Sequence, residues 1–264
     1  MLWIEQMICV SRFLGLIGAW GIVSSCAVSP PVNPKIPGPE VRHQVIRRVS
    51  AVIVTQRKDL VNWVNEGFSA HRSPGDADGG SATPISPDGY FLTADHVVAG
   101  MEGRNVFVLH GKSGQLVPSK ARVVWRSKVG DLALLKISGN TPDYYHWSAP
   151  DRWLPVGTPV THGGIATGFK AHTGRLSSSL PPESGLSGTR KFKLDIPLQP
   201  GDSGGPVVDA DGGLIGINSA VEFLVPMETA FFVDSEANRP NIRALEALIQ
   251  ADRSRIIPST SGVN

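Results

Sequence analysis

Short runs of apolar and β-branched residues follow one another from about Val45 onward, with polar turns between them. The turns include Pro87 to Gly89 and Ala210 to Gly213, which contain the residue types that favour tight reversals. Many short strands with regular turn signals are typical of an antiparallel sandwich or barrel. The runs are VIRRVSAVIV, GYFLTA, NVFVLH, ARVVW, LALLKI, KFKLDI, GPVVD, LIGIN and TAFFV.

Helical patterns are fewer. Residues 59–68 predict a short helix, and Pro240 opens a clearer one near the end of the chain. The apolar residues that share one face of this last helix are Ile242, Leu245, Leu248 and Ile249. The sequence therefore predicts one mostly β domain over residues 41–257 that ends in a helix, followed by a disordered tail at 258–264.

The composition agrees with a β-rich domain and excludes several partners. The 29 glycines and 21 prolines among 264 residues suit strands joined by turns, and a hydrophobic fraction of 41% suffices for a core. A net charge of +2 without a Lys/Arg run predicts no nucleic-acid partner. The sequence contains neither an HExxH motif nor a Cys/His cluster, so it predicts no metal and no other cofactor.

The N-terminus has the pattern of an export signal. The uncharged stretch Phe13 to Val28 follows Arg12; it is shorter than the roughly 20 residues of a membrane span and fits a signal peptide over residues 1–25. The stretch VSSC, which ends at Cys26, resembles a bacterial lipobox, and this implies that Cys26 is lipidated and begins the mature chain. Cleavage without a lipid and an uncleaved anchor are the alternatives. All three place the domain outside the cytoplasm.

A proline-rich spacer over residues 26–40 follows the signal and is expected to be semi-extended. A start at Met7 instead of Met1 gives a more typical signal, because it leaves out Glu5. The only cysteines, Cys9 and Cys26, both lie in the signal region. The folded domain therefore has no disulfide, and core packing must stabilise it.

The stretch GDSGGP, Gly201 to Pro206, is the strongest candidate for chemistry. It could be a surface turn or the seat of a nucleophilic serine, and its G-x-S-x-G pattern also fits the nucleophile elbow of α/β-hydrolases. In that fold the catalytic histidine follows the serine, but none of the seven histidines lies after Ser203. The elbow interpretation therefore fails, and a base for Ser203 must lie upstream.

Two upstream residues lie where a base and its orienting carboxylate would be expected. His96 follows the strand-like Tyr90 to Thr93, so the sheet would hold its imidazole in place. Asp131 directly precedes the apolar run LALLKI, at the mouth of a strand. A carboxylate there could accept the imidazole Nδ1–H and leave Nε2 free to take the serine proton, or it could simply be a turn residue.

Three segments together resemble the trypsin-like (chymotrypsin-fold) serine peptidases, and more closely their bacterial HtrA/Deg branch. The resemblance covers most of residues 45–250, and His96, Asp131 and Ser203 follow in the family order. It implies two packed six-stranded antiparallel β-barrels with the site in the cleft between them, and a C-terminal helix. The segments are ISPDGYFLTADHVVAG, GDLALLKI and LDIPLQPGDSGGPVVDADGGLIGINSA.

The resemblance also implies a role for each site residue. Ser203 would attack the scissile carbonyl, His96 would accept and return the proton, and Asp131 would orient His96. The backbone N–H groups of Gly201 and Ser203 would form the oxyanion hole. The residues implied to line the substrate pocket are Pro197, Asn218, Ser219 and Ala220. None of these is a carboxylate, so a small or medium aliphatic residue is expected before the cut, in place of Arg or Lys.

Two features depart from the family pattern. The HtrA/Deg branch usually has asparagine before the nucleophile, whereas Asp202 matches the trypsin type, in which this carboxylate pairs with a newly freed N-terminal amine. The sequence has no recognisable activation site before Val45, so Asp202 needs another partner or faces solvent. The chain also ends about 60 residues after Ser203, so we do not expect the PDZ domain that is usual in this branch.

The sequence therefore predicts an exported serine endopeptidase of the bacterial cell envelope that faces the periplasm or the exterior. Its expected partners are protein or peptide substrates and the membrane, through a lipid on Cys26. An oligomer is compatible with the resemblance, since the family often forms trimers. The alternative is a non-catalytic envelope protein on the same fold that binds peptides.

Overall fold

The computed structural model describes residues 35–65, 75–112, 115–167, 170–185, 188–224 and 231–256. The predicted signal, Cys26 and the predicted tail lie outside these residues. The strands are β1 Ser50–Thr55, β2 Asp78–Pro84, β3 Tyr90–Thr93, β4 Asn105–Lys112, β5 Gln115–Ser127, β6 Leu132–Ile137, β7 Pro159–Gly163, β8 Ala171–Arg175, β9 Arg190–Leu194, β10 Pro206–Val208, β11 Leu214–Leu224 and β12 Phe231–Arg239. The helices are α1 Pro39–Arg48, α2 Val61–Asn65 and α3 Ile242–Ile256. Within the described ranges, none of the helices combines the length and the hydrophobicity that a membrane span requires.

The first six strands close into an antiparallel barrel in the order β1-β2-β3-β6-β5-β4. Every residue of β1 is buried, because its two faces are both covered. Val52 and Val54 pack with Phe91 and Leu135 in one cluster, whereas Ala51 and Ile53 join a second cluster on the other face. This alternation is the period of two expected of a strand.

The other six strands form a second antiparallel sheet in the order β8-β7-β10-β11-β12-β9. A bridge between Leu176, just after β8, and Leu194 in β9 brings the two edges of this sheet together, so that it curls into a barrel. Its core includes Val160, Phe192 and Val207. The predicted fold, two six-stranded antiparallel barrels and a C-terminal helix, is confirmed.

The helix α1 corrects the prediction that β structure begins at Val45. Residues 39–48 are helical, and the strand begins only at Ser50. Pro39 lies in the first turn, Glu40 complements the positive helix N-terminus, and Arg47 and Arg48 complement the negative C-terminus. Val41 and Val45, one helical turn apart, form the buried face. The helix thus starts two residues inside the predicted spacer.

The other two helices agree with their predicted positions. α2 falls within the predicted helix at residues 59–68, of which 66–68 lie outside the described ranges. α3 begins two residues after Pro240, and the Asn241 side chain accepts the Ala244 N–H at 2.9 Å as its N-terminal cap. Ile242, Leu245 and Ile249 are buried, so the predicted apolar face is the one that packs.

The two barrels meet at the loop that carries Ser203. The Ser81 backbone N–H on β2 donates to the Ser203 carbonyl at 2.8 Å, and the Thr83 hydroxyl donates to the Gly204 carbonyl at 2.9 Å. One apolar cluster includes Leu92 and Leu134 of the first barrel together with Val208 and Ile217 of the second. The core is therefore continuous across the junction, and the Ser203 loop is attached to both barrels.

Candidate active site

His96 lies on a short 3-10 turn, Asp95–Val98, that follows the buried strand β3. Asp95, Val97 and Val98 of this turn are buried, and the His96 side chain is 52% exposed. The apolar side chains of the turn pack into the first barrel. They therefore fix the backbone while the imidazole faces the open side.

An ion pair between Asp95 and Arg126 also stabilises the turn that carries His96. The Asp95 carboxylate accepts two hydrogen bonds from the Arg126 guanidinium of β5, at 2.6 and 3.1 Å. Asp95 is only 4% exposed, so this bidentate pair lies mostly out of water. Its negative charge also contributes to the raised pKa of His96.

Asp131 lies in the turn before β6 with φ of +42°, the one non-glycine residue of the described ranges in the left-handed region. Aspartate tolerates this conformation better than most residues. Its carboxylate accepts the His96 Nδ1–H at 2.9 Å, the His96 backbone N–H at 3.0 Å and the Ser219 hydroxyl at 2.5 Å. The imidazole is thus held in the tautomer that leaves Nε2 free to accept a proton.

The two charges of this pair influence one another. The hydrogen bond to Asp131 raises the pKa of His96 above its ordinary value, although burial acts against it. Burial raises the pKa of Asp131, but the hydrogen bonds from His96 and Ser219 outweigh it and lower this pKa to about 2. Asp131 is therefore a carboxylate at all physiological pH values, and it favours the imidazolium that forms when His96 accepts a proton.

Ser203 lies between two positions, 201 and 204, whose backbone conformation requires glycine. Gly201 and Gly204 have φ of +107° and +92°, and a Cβ on Gly204 would come within 2.0 Å of the Ser81 carbonyl oxygen. The Ser203 hydroxyl donates to the Ser219 carbonyl at 2.8 Å. Within the described residues, no hydrogen bond joins Ser203 to His96. His96 is thus hydrogen-bonded to Asp131, whereas the hydroxyl of Ser203, the third residue of the predicted triad, is bonded to Ser219.

The backbone around Ser203 leaves two N–H groups open. The Asp202 N–H donates to the Gln199 carbonyl, and the Gly204 N–H donates to the Asn218 carbonyl. The N–H groups of Gly201 and Ser203 have no acceptor in the described part of the chain. These are the two N–H groups predicted to form the oxyanion hole, and neither donates to another residue in the described ranges.

The Asp202 side chain is completely buried and binds backbone amides. Its Oδ1 accepts the N–H groups of Ala166 and Thr167, each at 3.1 Å, and its Oδ2 accepts the Gln199 N–H at 2.9 Å. Burial raises the pKa of Asp202, and the amide hydrogen bonds oppose this. A Cβ on Gly164 would come within 2.2 Å of the carboxylate, so the loop needs glycine there. Asp202 therefore has partners: two amides of a neighbouring loop, from Ala166 and Thr167, and one amide of its own loop, from Gln199.

The four residues predicted to line the substrate pocket differ in their exposure. Pro197 and Ala220 are exposed, whereas Asn218 is completely buried. The Asn218 Nδ2 donates to the Nδ1 of His162 at 3.2 Å, and burial lowers the pKa of His162 to about 3. Ser219 interacts with both Asp131 and Ser203. Among the hydrogen bonds of the described residues, Ser219 thus is the one of the four that is bonded to members of the predicted triad.

Residues 80–217, more than half of the chain, match the family described as "Trypsin-like peptidase domain". The chain belongs to this family. The trypsin-like domain is also 32% identical over 171 residues to the "Probable periplasmic serine endoprotease DegP-like" of Marinomonas sp. (strain MWYL1). It is 31% identical over 174 residues to a protein of the same name from Pseudomonas fluorescens. The resemblance to the HtrA/Deg branch is therefore confirmed.

These alignments cover 58% and 60% of the trypsin-like chain but only 34% of each relative. The chain thus spans about a third of the length of the curated relatives that it matches. A solved structure, "HtrA-type protease AlgW with decapeptide", has a TM-score of 0.56 at 23% identity and covers 81% of this chain and 66% of that one. At this identity the likeness supports the fold alone.

The trypsin-like domain contains site residues that the sequence did not reveal. Arg126 and Asp95 support the turn of His96, and Ser81 binds both the Gly201 carbonyl and the Ile165 N–H. Ser219 was expected only in the pocket, although it also binds Asp131. Each of these contacts joins residues at least 31 positions apart, so no local motif announces them.

Proposed function

We propose that this chain is a serine endopeptidase that hydrolyses peptide bonds through an acyl-enzyme. The observation that carries the proposal is the His96–Asp131 pair near Ser203, in a loop where the N–H groups of Gly201 and of Ser203 itself have no acceptor in the described residues. The curated relatives are named serine endoproteases, which agrees with this chemistry. The AlgW structure is described with a bound decapeptide, which suggests peptides as substrates.

In the proposed reaction, Ser203 first turns from the Ser219 carbonyl toward His96 by rotation about its Cα–Cβ bond. His96 Nε2 then takes the hydroxyl proton as Oγ attacks the scissile carbonyl carbon, and the carbonyl oxygen becomes an anion. The N–H groups of Gly201 and Ser203 would stabilise this anion. Next, the C–N bond breaks and His96 returns the proton to the leaving amine. A water molecule, deprotonated by His96, then attacks the acyl carbon. The bond from this carbon to Oγ breaks as His96 returns the proton to Oγ, which frees the Ser203 hydroxyl and the carboxylic acid product.

The surroundings of His96 and Asp131 favour these reaction steps. Asp131 accepts three hydrogen bonds and remains ionised, so it can stabilise the imidazolium without taking its proton. The His96 side chain is half exposed, which leaves Nε2 accessible to substrate. The oxyanion donors belong to a loop that Ser81 and Asp202 fix in place, so little reorganisation is needed when charge develops.

A fluorophosphonate probe tests the proposal, because it labels only an activated serine. We expect labelling of Ser203 in the wild type and its loss in Ser203→Ala. Ser254→Ala, on the exposed face of α3, is the matched control and should label fully. Folded wild type that no probe labels would instead favour a non-catalytic, peptide-binding protein on this fold.

We also propose that the domain acts in the bacterial cell envelope, tethered by a lipid on Cys26. The DegP-like relatives are named periplasmic endoproteases, and the predicted export signal and lipobox of this sequence agree with that location. Mass spectrometry of the mature N-terminus and membrane fractionation of Cys26→Ala test the tether. The lipid is excluded if this variant keeps the wild-type mature mass and membrane fraction.

The proposed substrates are exported or envelope proteins cleaved after a small or medium aliphatic residue. The expected pocket residues Pro197, Asn218, Ser219 and Ala220 offer no carboxylate to bind Arg or Lys. A peptide-library cleavage profile tests this preference. A profile dominated by Arg or Lys before the cut would contradict the preference and leave the proposed chemistry intact.

A further inference from the structure

A small cavity lies at the C-terminal end of α1, and it shares no residue with the candidate active site. Its volume is about 120 Å³, and its walls include Arg47, Arg48, Thr141, Asp143 and His110. These residues come from the helix, from the end of β4 and from the segment that joins the two barrels. The fold therefore brings three separate pieces of the chain to one place.

The charges on the cavity walls do not balance. Asp143 accepts a hydrogen bond from Arg47 Nη2 at 2.9 Å, whereas Arg48 Nε lies 3.9 Å from the same carboxylate, beyond hydrogen-bond range. Burial lowers the pKa of His110, so this imidazole is neutral near pH 7. Two guanidinium groups thus share one carboxylate, and the walls carry an excess positive charge.

Two donors in the cavity wall lack acceptors. Arg48 Nε and the Thr141 hydroxyl are both buried, and neither has a hydrogen-bond partner in the described ranges. Thr141 is only 6% exposed, and its backbone N–H is held by the Pro87 carbonyl at 2.7 Å. An unsatisfied buried donor is costly, most of all on a charged group. An external acceptor would remove that cost if it reached these two donors from the cavity.

The Arg48 guanidinium is already positioned. Its central carbon lies 4.9 Å from the centre of the buried Tyr145 ring, which supports the planar group from one side. The Arg48 side chain is only 16% exposed, so it has little freedom to leave this position. Little conformational entropy would therefore be lost when the guanidinium binds an acceptor.

The size and chemistry of the cavity select the ligand. A cavity of about 120 Å³ is large enough for several water molecules, and it therefore has room for one tetrahedral oxyanion. A phosphate group brings several acceptor oxygens and a negative charge, and guanidinium groups match its geometry well. We propose that this cavity binds a phosphate group through Arg47, Arg48 and the Thr141 hydroxyl. Free phosphate and the phosphodiester of a lipid headgroup have this chemistry in common.

Isothermal titration calorimetry on the full chain tests the proposal. The two probes are inorganic phosphate and glycerophosphoglycerol, the headgroup of phosphatidylglycerol, at constant ionic strength in a phosphate-free non-ionic detergent. We expect saturable binding of at least one probe, and binding at least about tenfold weaker in Arg48→Gln. Arg42→Gln is the matched control, because it removes an equal charge from an exposed position of α1 outside the cavity.

Thr141→Val provides a second test that leaves the charge unchanged, and it remains informative if Arg48→Gln fails to fold. We expect this variant to bind the probe more weakly than the wild type does. Binding of inorganic phosphate alone identifies the free ion as the ligand, and binding of the headgroup alone identifies lipid. The proposal is overturned if neither probe binds at about 10 mM, or if Arg42→Gln weakens binding as much as Arg48→Gln does.

Discussion

The Ser219 hydroxyl donates to the Asp131 carboxylate at 2.5 Å, and the Ser219 carbonyl accepts the Ser203 hydroxyl at 2.8 Å. One residue of the second barrel thus contacts both the carboxylate that holds His96 and the proposed nucleophile. A displacement of β11 would therefore change the surroundings of Asp131 and of Ser203 together.

Ser219→Ala removes the hydroxyl and keeps the backbone carbonyl. We expect kcat to fall by roughly 10- to 100-fold, because a hydrogen bond to a charged group contributes about 1.5–3 kcal/mol. The fold should persist, since alanine fits wherever serine fits. Steady-state kinetics with a peptide substrate measure the change. Ser254→Ala on α3 should keep wild-type kcat, and an unchanged kcat in Ser219→Ala would show that the contact with Asp131 is dispensable.

Asp131→Asn keeps the left-handed turn, which asparagine also tolerates, but removes the negative charge. We expect kcat to fall by about 10⁴ because His96 loses the partner that fixes its tautomer.

Neutral His96 is the active base, so kcat/KM of the wild type should rise with pH through a raised His96 pKa. In Asp131→Asn this rise should move to lower pH. Asp88→Asn, which disrupts an ion pair with Arg253, should leave the profile unmoved.

The same pair predicts how stability depends on pH. The folded pKa of Asp131 is lowered from 3.8 to about 2, so its stabilising contribution is present above about pH 4 and is lost as the pH falls toward 2. The folded pKa of His96 is raised, so its contribution is present below its ordinary pKa and is lost as the pH rises through the raised value. Urea unfolding of wild type and Asp131→Asn across this range measures both. A stability difference that is constant with pH would contradict the coupling.

Asp202→Asn places an amide group among three N–H donors, where the carboxylate can accept and an amide nitrogen cannot. We expect the loop to shift and the Gly201 and Ser203 N–H groups to lose alignment, which lowers kcat by up to about 10²–10³. The affinity for a peptide aldehyde, which forms a tetrahedral adduct, should fall in parallel. Asp209→Asn is the control, because Asp209 is also buried in a turn and accepts the Asp211 and Gly213 amides. Equal losses in both variants would indicate general destabilisation.

Arg126→Met leaves the buried Asp95 carboxylate without its partner. We expect a loss of about 3–5 kcal/mol in the free energy of unfolding, since an uncompensated buried charge is costly. The double variant Asp95→Ala/Arg126→Met should be more stable than Arg126→Met, because it removes that charge. Urea unfolding of the wild type, both single variants and the double variant closes the cycle. A double variant no more stable than Arg126→Met would contradict a buried ion pair.

The sequence predicted those parts of the molecule that depend on local patterns. The short strands, the C-terminal helix and the order of His96, Asp131 and Ser203 can each be seen in a stretch of a few residues. The prediction missed α1 because the stretch VIRRVSAVIV contains both the last turn of the helix and the strand β1. The residues that mark the start of the helix, Pro39 and Glu40, lie before this stretch. The roles of the three site residues remain predictions until activity is measured.

Contacts between distant segments could not be predicted. The acceptor of the Ala166 and Thr167 amides is Asp202, 35 to 36 residues away, and ordinary residues supply those amides. A backbone donor cannot be recognised from the residue type, because every residue except proline carries the same N–H group. The burial of Asn218 beside His162 depends likewise on how two strands of the second barrel align.

The amides that hold Asp202 belong to an internal loop of the same folded chain. An ammonium group released by a cut is therefore not needed to keep this carboxylate in the interior. The fold can reach this conformation as soon as the chain has folded, without a maturation step at a new chain end. The hydrogen bonds that hold Asp202 therefore do not depend on when a cleavage occurs, because internal amides of the folded chain supply them.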